Sequence, residues 1–258
     1  MRIVVKVGTS TLAHSTGRMN IRRVEELVKT LSDLKNAGNE IVLVSSGAIG
    51  MGVGKLGLKS RPADIPSKQA AAAVGQCELM YTYDKLFSEY NHTVGQILLT
   101  KTDFSSPERR TNFMNTLYRL LDFGVIPVIN ENDTVATDEI AVGDNDTLSA
   151  LVSECADADL LVILSDIEGL YTADPRRDPD AKLIPVVPQV TPEVEALAGG
   201  AGSGLGTGGM ATKLNAAKIV TAAGTDMVIA NGADPKVLYD IAAGKPVGTR
   251  FIGTEKKG

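Results

Sequence analysis

The sequence predicts an α/β fold in which a largely parallel sheet is covered by helices on both faces. Three observations predict it. Short apolar, β-branched runs alternate with longer segments of helical period, the runs are apolar throughout rather than on one side, and no internal repeat or linker divides the 258 residues. Continuous apolar strands are those buried on both faces, as parallel sheets require. The length suits one large α/β domain or two closely packed lobes.

In order along the chain, residues 3–7 read as a buried strand. Residues 20–37 place Val24, Leu27, Val28, Leu31 and Leu34 on one helical face, with Gly38 as the stop. A second strand, 41–44, runs into the glycine-rich segment 45–52. Residues 68–87 are helix-forming, 94–99 a strand, 107–122 a helix, 125–129 a strand, 146–155 a helix and 160–164 an all-apolar strand. The segment 175–192 holds five prolines and reads as an irregular excursion. After the glycine-rich run 199–209 come a helix at about 210–223, a strand at 226–230, a helix at 235–243 and a last short strand at 247–252. The basic tail at 255–258 reads as a frayed end.

Composition excludes several classes. A net charge of -5, a pI near 5.2, no tryptophan and no dense Lys/Arg run speak against a nucleic-acid partner. With 43% hydrophobic and 22% charged residues the composition is that of an ordinary globular protein. Lys6 interrupts any signal-like apolar stretch at the N-terminus. No run approaches the roughly 18 apolar residues that span a bilayer. No membrane partner and a cytoplasmic location are therefore expected. Cys77 and Cys155, in Ala-rich helical segments, read as two small buried thiols of a reducing compartment. His14 and His92 read as surface residues, and no Ser-His-Asp or zinc spacing is visible.

Ligands of open α/β sheets collect at the carboxyl ends of the strands, and polar clusters fall at four such ends. They are Lys6 to Ser10, Ser45-Ser46-Gly47, Asn130 to Asp133, and Ser165-Asp166. Two glycine-rich turns, Ser46-Gly47-Ala48 and Gly208-Gly209-Met210, lead into helices whose N-termini can cradle phosphate. Lys213, about one turn into the second helix, could reach the same phosphate. No P-loop spacing occurs. The pattern G-x-G-x-x-G is met at Gly52 to Gly57 and at Gly204 to Gly209, but neither copy opens from a strand, which demotes a dehydrogenase. In Asp144-Asn145-Asp146 one carboxylate can cap the helix that follows. The pair could otherwise hold lysines, ligate Mg²⁺ through water, or bind an ammonium.

Taken together these residues resemble the amino acid kinase family, over essentially the whole chain. The motifs that carry the resemblance are Lys6-Val-Gly-Thr-Ser10, Ser45-Ser-Gly-Ala-Ile-Gly50, Pro127-Val-Ile-Asn-Glu-Asn-Asp133, Val142-Gly-Asp-Asn-Asp146, Gly169-Leu-Tyr-Thr-Ala-Asp-Pro175 and Ser203-Gly-Leu-Gly-Thr-Gly-Gly-Met210. The resemblance implies a three-layer α/β/α sandwich of 258 residues, with an acceptor lobe at about 1–155 and an ATP lobe at about 156–258. Many family members add a C-terminal RNA-binding-type (PUA) domain, and since this chain stops soon after Phe251 none is expected here.

By the same resemblance, Lys6 and Lys213 contact the transferring phosphoryl group and Asp146 holds both lysines. Ser46, Gly47, Asp133 and Asn145 bind a glutamate acceptor, with Asn130 and Asp144 close by. Gly8, Ser165, Asp166 and the run Thr207, Gly208, Gly209, Met210, Ala211, Thr212 and Lys213 line the ATP site. Ser165 stands where many relatives have threonine, and the hydroxyl is kept. ATP with Mg²⁺, feedback inhibition by proline and a homo-oligomeric assembly are further implications. Acetylglutamate, aspartate, carbamate or a nucleoside monophosphate are the rival acceptors, and a non-catalytic nucleotide or amino-acid sensor is the rival of another class.

Overall fold

The computed structural model describes residues 1–14, 18–136, 144–198 and 209–255. Among these, eight strands form one sheet: β1 (Arg2–Val7), β2 (Glu40–Ser45), β3 (Val94–Leu99), β4 (Ile126–Glu131), β5 (Leu160–Ser165), β6 (Val186–Val187), β7 (Asp226–Asn231) and β8 (Thr249–Phe251). Their order across the sheet is β3-β4-β2-β1-β5-β7-β8-β6. Neighbours from β3 to β7 run parallel. β8 returns antiparallel to β7, and β6 pairs parallel with β8.

The connecting helices are α1 (Thr9–Leu12), α2 (Ile21–Asn36), α3 (Ala48–Lys55), α4 (Ile65–Ser88), α5 (Lys101–Ser105), α6 (Pro107–Asp122), α7 (Asn145–Cys155), α8 (Pro192–Leu197), α9 (Met210–Ala222) and α10 (Val237–Ala242). Local chemistry sets their starts. Asn20 caps α2 by accepting from the Arg23 N–H, and Ser106 caps α6 ahead of Pro107. α4 begins three residues before its apolar period does, because Asp64 accepts from the Ser67 N–H and Pro66 sits in the first turn. The short helices α1 and α5 are not visible as periodicity. α5 is fixed by a capping box between Thr100 and Asp103. The proline-rich segment is less irregular than its composition suggests: it contributes β6, an antiparallel bridge between Tyr171 and Leu183, and the first residue of α8.

Alternation along the strands sorts the core into two layers. Val4, Val44, Ile129, Ile163 and Ile229 face one set of helices through Leu117, Leu148, Leu214 and Val220, on α6, α7 and α9. Ile3, Val5, Leu43, Val128, Val162 and Val228 face the other set through Leu27, Leu31, Leu79 and Ile241, on α2, α4 and α10. The three-layer sandwich follows from this parity. Cys155 is buried in the first layer, whereas Cys77 is exposed, because it lies on the outward side of α4. His14 is exposed as expected. His92 is half-buried, with Nε2 3.3 Å from the Ser32 carbonyl oxygen.

One contact sets the spacing between the turn after β2 and α4. α3 and α4 pack backbone against backbone: a Cβ on Gly75 would lie 1.7 Å from the Ala48 carbonyl oxygen, and one on Gly52 1.8 Å from that of Ala71. Gly75→Ala is therefore expected to cost about 2 kcal/mol through overpacking and to lower the thermal midpoint by several degrees. Unchanged thermal unfolding followed by circular dichroism would contradict this close approach.

Candidate active site

Lys6 has the parity of Val4 and so points from β1 into the layer of α7 and α9, near the carboxyl end of the sheet. There its ammonium meets Asp146 of α7, with Nζ 2.7 Å from Oδ1. Lys213 of α9 reaches the other oxygen, Nζ to Oδ2 at 3.1 Å. The Thr212 hydroxyl lies 2.8 Å from the same Oδ2. Asp146 is wholly buried, while Lys6 and Lys213 are 8% and 5% exposed. Burial would raise the Asp146 carboxyl, but the two ammonium groups and the hydrogen bonds from Lys6 and Thr212 outweigh it, holding the group below the usual aspartate value. Two ammonium groups meet one carboxylate there, and the Asp144 carboxyl stands near enough to interact electrostatically with both Asp146 and Lys6.

A second cluster adjoins it at the ends of β2 and β4. The Asn145 amide donates to Ser46 Oγ at 2.6 Å and to Asn130 Oδ1 at 2.9 Å. Gly47 follows Ser46 with φ 105°, a left-handed conformation that favours glycine, and it turns the chain straight into α3. Asp144 is the N-cap of α7, its side chain accepting from the Thr147 N–H at 2.8 Å. The capping alternative therefore holds for Asp144, and the lysine-holding one for Asp146. Burial pushes the Asp144 carboxyl upward against the Thr147 hydrogen bond. Asp133 lies in the turn after β4, where burial and the neighbouring Glu131 push its carboxyl up to about 6, with Arg61 opposing.

Of the remaining expected residues, some adjoin the trio and others lie apart from it. Ser165 ends β5, its hydroxyl 3.3 Å from Asp166 Oδ1, and Asp166 also pairs with Arg176 at 3.4 Å. Gly8 caps α1 in an extended conformation, and a Cβ there would lie 3.7 Å from Lys6 Nζ. Gly209 is the N-cap of α9, and Met210 and Ala211 open that helix. Thr207 and Gly208 fall outside the described residues, as does most of the second glycine-rich run. Sequence reasoning missed two amides of α4. Gln69 Nε2 donates to the Ala136 carbonyl at 3.1 Å, and Gln76 Oε1 accepts from Asn130 Nδ2 at 2.9 Å. Glutamines in an Ala-rich helix carry no signal of such roles.

A parallel sheet that brings two buried ammonium groups onto one carboxylate, beneath the amino ends of two helices, is the framework of a phosphotransferase. The chain belongs to the amino acid kinase family, whose family model matches residues 1–231. It is 59% identical over 249 residues to the glutamate 5-kinase of Clostridium tetani, covering 96% of this chain and 93% of that one. With the glutamate 5-kinase of Moorella thermoacetica it shares 53% identity over 256 residues, 99% of this chain and 68% of the longer relative. Among solved structures, carbamate kinase from Giardia lamblia bound to AMP-PNP superposes with a TM-score of 0.70 at 16% identity, over 98% of each chain. Isopentenyl phosphate kinase from T. acidophilum gives 0.65 at 18%, over 97% of this chain and all of that one. These two likenesses concern the fold alone.

Acidification should report on the trio. A carboxyl held below its ordinary value of 3.8 lends stability that is complete above that pH and is lost as pH falls through the folded-state value. Wild type is therefore expected to lose thermal stability below about pH 4 more steeply than Asp146→Asn. Parallel melting curves for the two proteins between pH 3 and 7 would count against this linkage.

Proposed function

We propose that this chain transfers the γ-phosphoryl group of ATP to the γ-carboxylate of L-glutamate, giving L-glutamyl 5-phosphate and ADP, the first step of proline synthesis. The observation that carries the reading is the buried pairing of Lys6 and Lys213 on Asp146. The curated relatives named glutamate 5-kinase, at 51–59% identity over nearly the full chain, support the acceptor.

The chemistry asks little of an acid or base. A side-chain carboxylate with a pKa of about 4.3 is ionised at neutral pH and attacks phosphorus without losing a proton. The obstacle is repulsion between that anion and the triphosphate, so positioning and positive charge must lower the barrier. Lys6 and Lys213 supply the charge at the transferring group, and Asp146 keeps the two ammonium groups from moving apart. The helix N-termini after Gly47 and Gly209 add donors on either side. Mg²⁺ would enter with ATP and offset phosphate charge.

The acceptor half would use Ser46 for a glutamate carboxylate, and Asp133 with the Asn145 carbonyl oxygen for its α-ammonium, with Asn130 and Asp144 behind them. All of these lie before residue 155, and Ser165, Asp166 and the start of α9 lie after it, which supports the division into an acceptor lobe and an ATP lobe. Proline shares the α-carboxylate and α-nitrogen of glutamate and would compete for the same contacts. A homo-oligomeric assembly is part of the same proposal. The location consistent with this role is cytoplasmic; among the described residues no helix is long and apolar enough to cross a membrane.

Coupled ADP-release assays with glutamate, acetylglutamate, aspartate and carbamate test the acceptor. Preferred turnover of any acceptor but glutamate would overturn it, and nucleotide binding without turnover would favour a sensor. Lys6→Ala and Lys213→Ala are each expected to fold and to lose on the order of 10²-fold or more in kcat, as when a preorganised electrostatic donor is removed. Near-wild-type turnover in either would sink the assigned role. Because the Asp133 carboxyl titrates at about 6, protonation below that pH removes its charge while the substrate ammonium persists. The glutamate KM should then rise about tenfold for each pH unit well below 6, and Asp133→Asn should abolish that slope.

A further inference from the structure

The acceptor cluster does not end at Asn130. It continues across the carboxyl edge of the sheet to α4, on the opposite face from α7. Asn130 has the parity of Val128 and so points toward α4, where its Nδ2 donates to Gln76 Oε1 at 2.9 Å. Asn130 Oδ1 in turn accepts from Asn145 Nδ2 at 2.9 Å, and the same Nδ2 donates to Ser46 Oγ at 2.6 Å. The chain therefore runs Gln76, Asn130, Asn145, Ser46, with a direction fixed at every link.

Gln76 is 8% exposed and Asn130 2% exposed, so both amides lie largely out of reach of bulk solvent. Among the described residues, the Gln76 Nε2 group is buried without a hydrogen-bond partner. An apolar side chain would avoid that cost, so Gln76 has a local energetic reason only in what its carbonyl does. The backbone-to-backbone packing of Gly75 on Ala48 places Gln76 at a fixed distance from the turn that carries Ser46 and Gly47. Two turns earlier on the same helix, Gln69 holds the Ala136 carbonyl at the end of the Asp133 loop.

We propose that Gln76 is a positioning residue that sets the hydrogen-bond polarity of the acceptor site, making Ser46 a donor toward a carboxylate. The inference rests on the glutamate reading above. The logic is one of orientation. While Gln76 Oε1 faces Asn130, the Asn130 amide can present only its oxygen to Asn145. Asn145 must then present its NH2 to Ser46, and both of its amide hydrogens are used. Ser46 Oγ, having accepted one hydrogen bond, has its own O–H left to donate, and no described residue accepts it. An anionic acceptor group needs that donor. Without the Gln76 carbonyl the two asparagines are free to turn over together, so that Asn145 offers its oxygen to Ser46 and consumes the hydroxyl proton that the substrate carboxylate requires.

Steady-state kinetics of Gln76→Met, Gln76→Glu, Ser46→Ala and the Gln76→Met/Ser46→Ala double variant test this. Met matches Gln in size and also removes the unpartnered NH2, so folding should be retained; Gln76→Leu serves as a second apolar variant, read in the same way. Gln76→Met is expected to raise the glutamate KM tenfold or more while the KM for ATP stays within twofold. Gln76→Glu keeps a carbonyl-type acceptor for Asn130 in either protonation state and should return the glutamate KM to within about threefold of wild type. The effect of Gln76→Met should largely vanish in the Ser46→Ala background, since both act through one hydroxyl. A glutamate KM for Gln76→Met within threefold of wild type, equal losses for ATP and glutamate, or full additivity with Ser46→Ala would overturn the inference. Wild-type protein that does not turn over glutamate would instead overturn the reading beneath it.

Discussion

The rest of the site depends on one buried carboxylate. Asp146 is wholly enclosed, and each of its oxygens is held by a lysine from a different element, Lys6 from β1 and Lys213 from α9. Taking three charges out of water is costly, and their mutual attraction offsets that cost only if the geometry is kept. The trio therefore ties the central strand to two helices that are distant in sequence. In the proposed function the two ammonium groups that it gathers are those that would meet the transferring phosphoryl group.

A second constraint acts on the other side of the sheet edge. Where α3 and α4 meet, glycines let two backbones touch, so the turn at Gly47 is packed directly against the helix that bears Gln69 and Gln76. The cluster proposed to bind the acceptor is then held from both layers: from α7 through Asn145, and from α4 through Asn130. In the proposed reaction, which needs no general base, the catalytic gain comes from where two anions are held, and sites built on helices and strands hold them more accurately than loops do.

The titrations of the three aspartates follow the same division of labour. Asp146 is kept ionised by its lysines, which suits a permanent counter-charge. Asp144 spends its side chain on capping α7. Asp133, desolvated and beside Glu131 with only Arg61 opposing, sits near the edge of ionisation. In the proposed function a substrate ammonium would add a further favourable charge beside it.

Much of this was legible in the residue order. Runs such as those in β1 and β5 are apolar at every position because both faces are covered, and the 3.6-residue period of α2 survives in Val24, Leu27, Val28, Leu31 and Leu34. Sequence alone thus determined the α/β class, nearly every major element and, with the family's motifs, the group of residues around Lys6, Asp146 and Lys213. Spacing by itself could not separate Asp144 from Asp146, since either can cap a helix; the family resemblance assigned Asp146 to the lysines, and the fold brings them into contact. Sequence could not mark Gln76 either, because an amide in an Ala-rich helix becomes functional only when a strand from elsewhere brings Asn130 against it. Local pattern records burial and period, which each segment carries within itself. Pairings such as Asp146 with Lys6 and Gln76 with Asn130 join residues far apart along the chain, and tertiary packing alone fixes them.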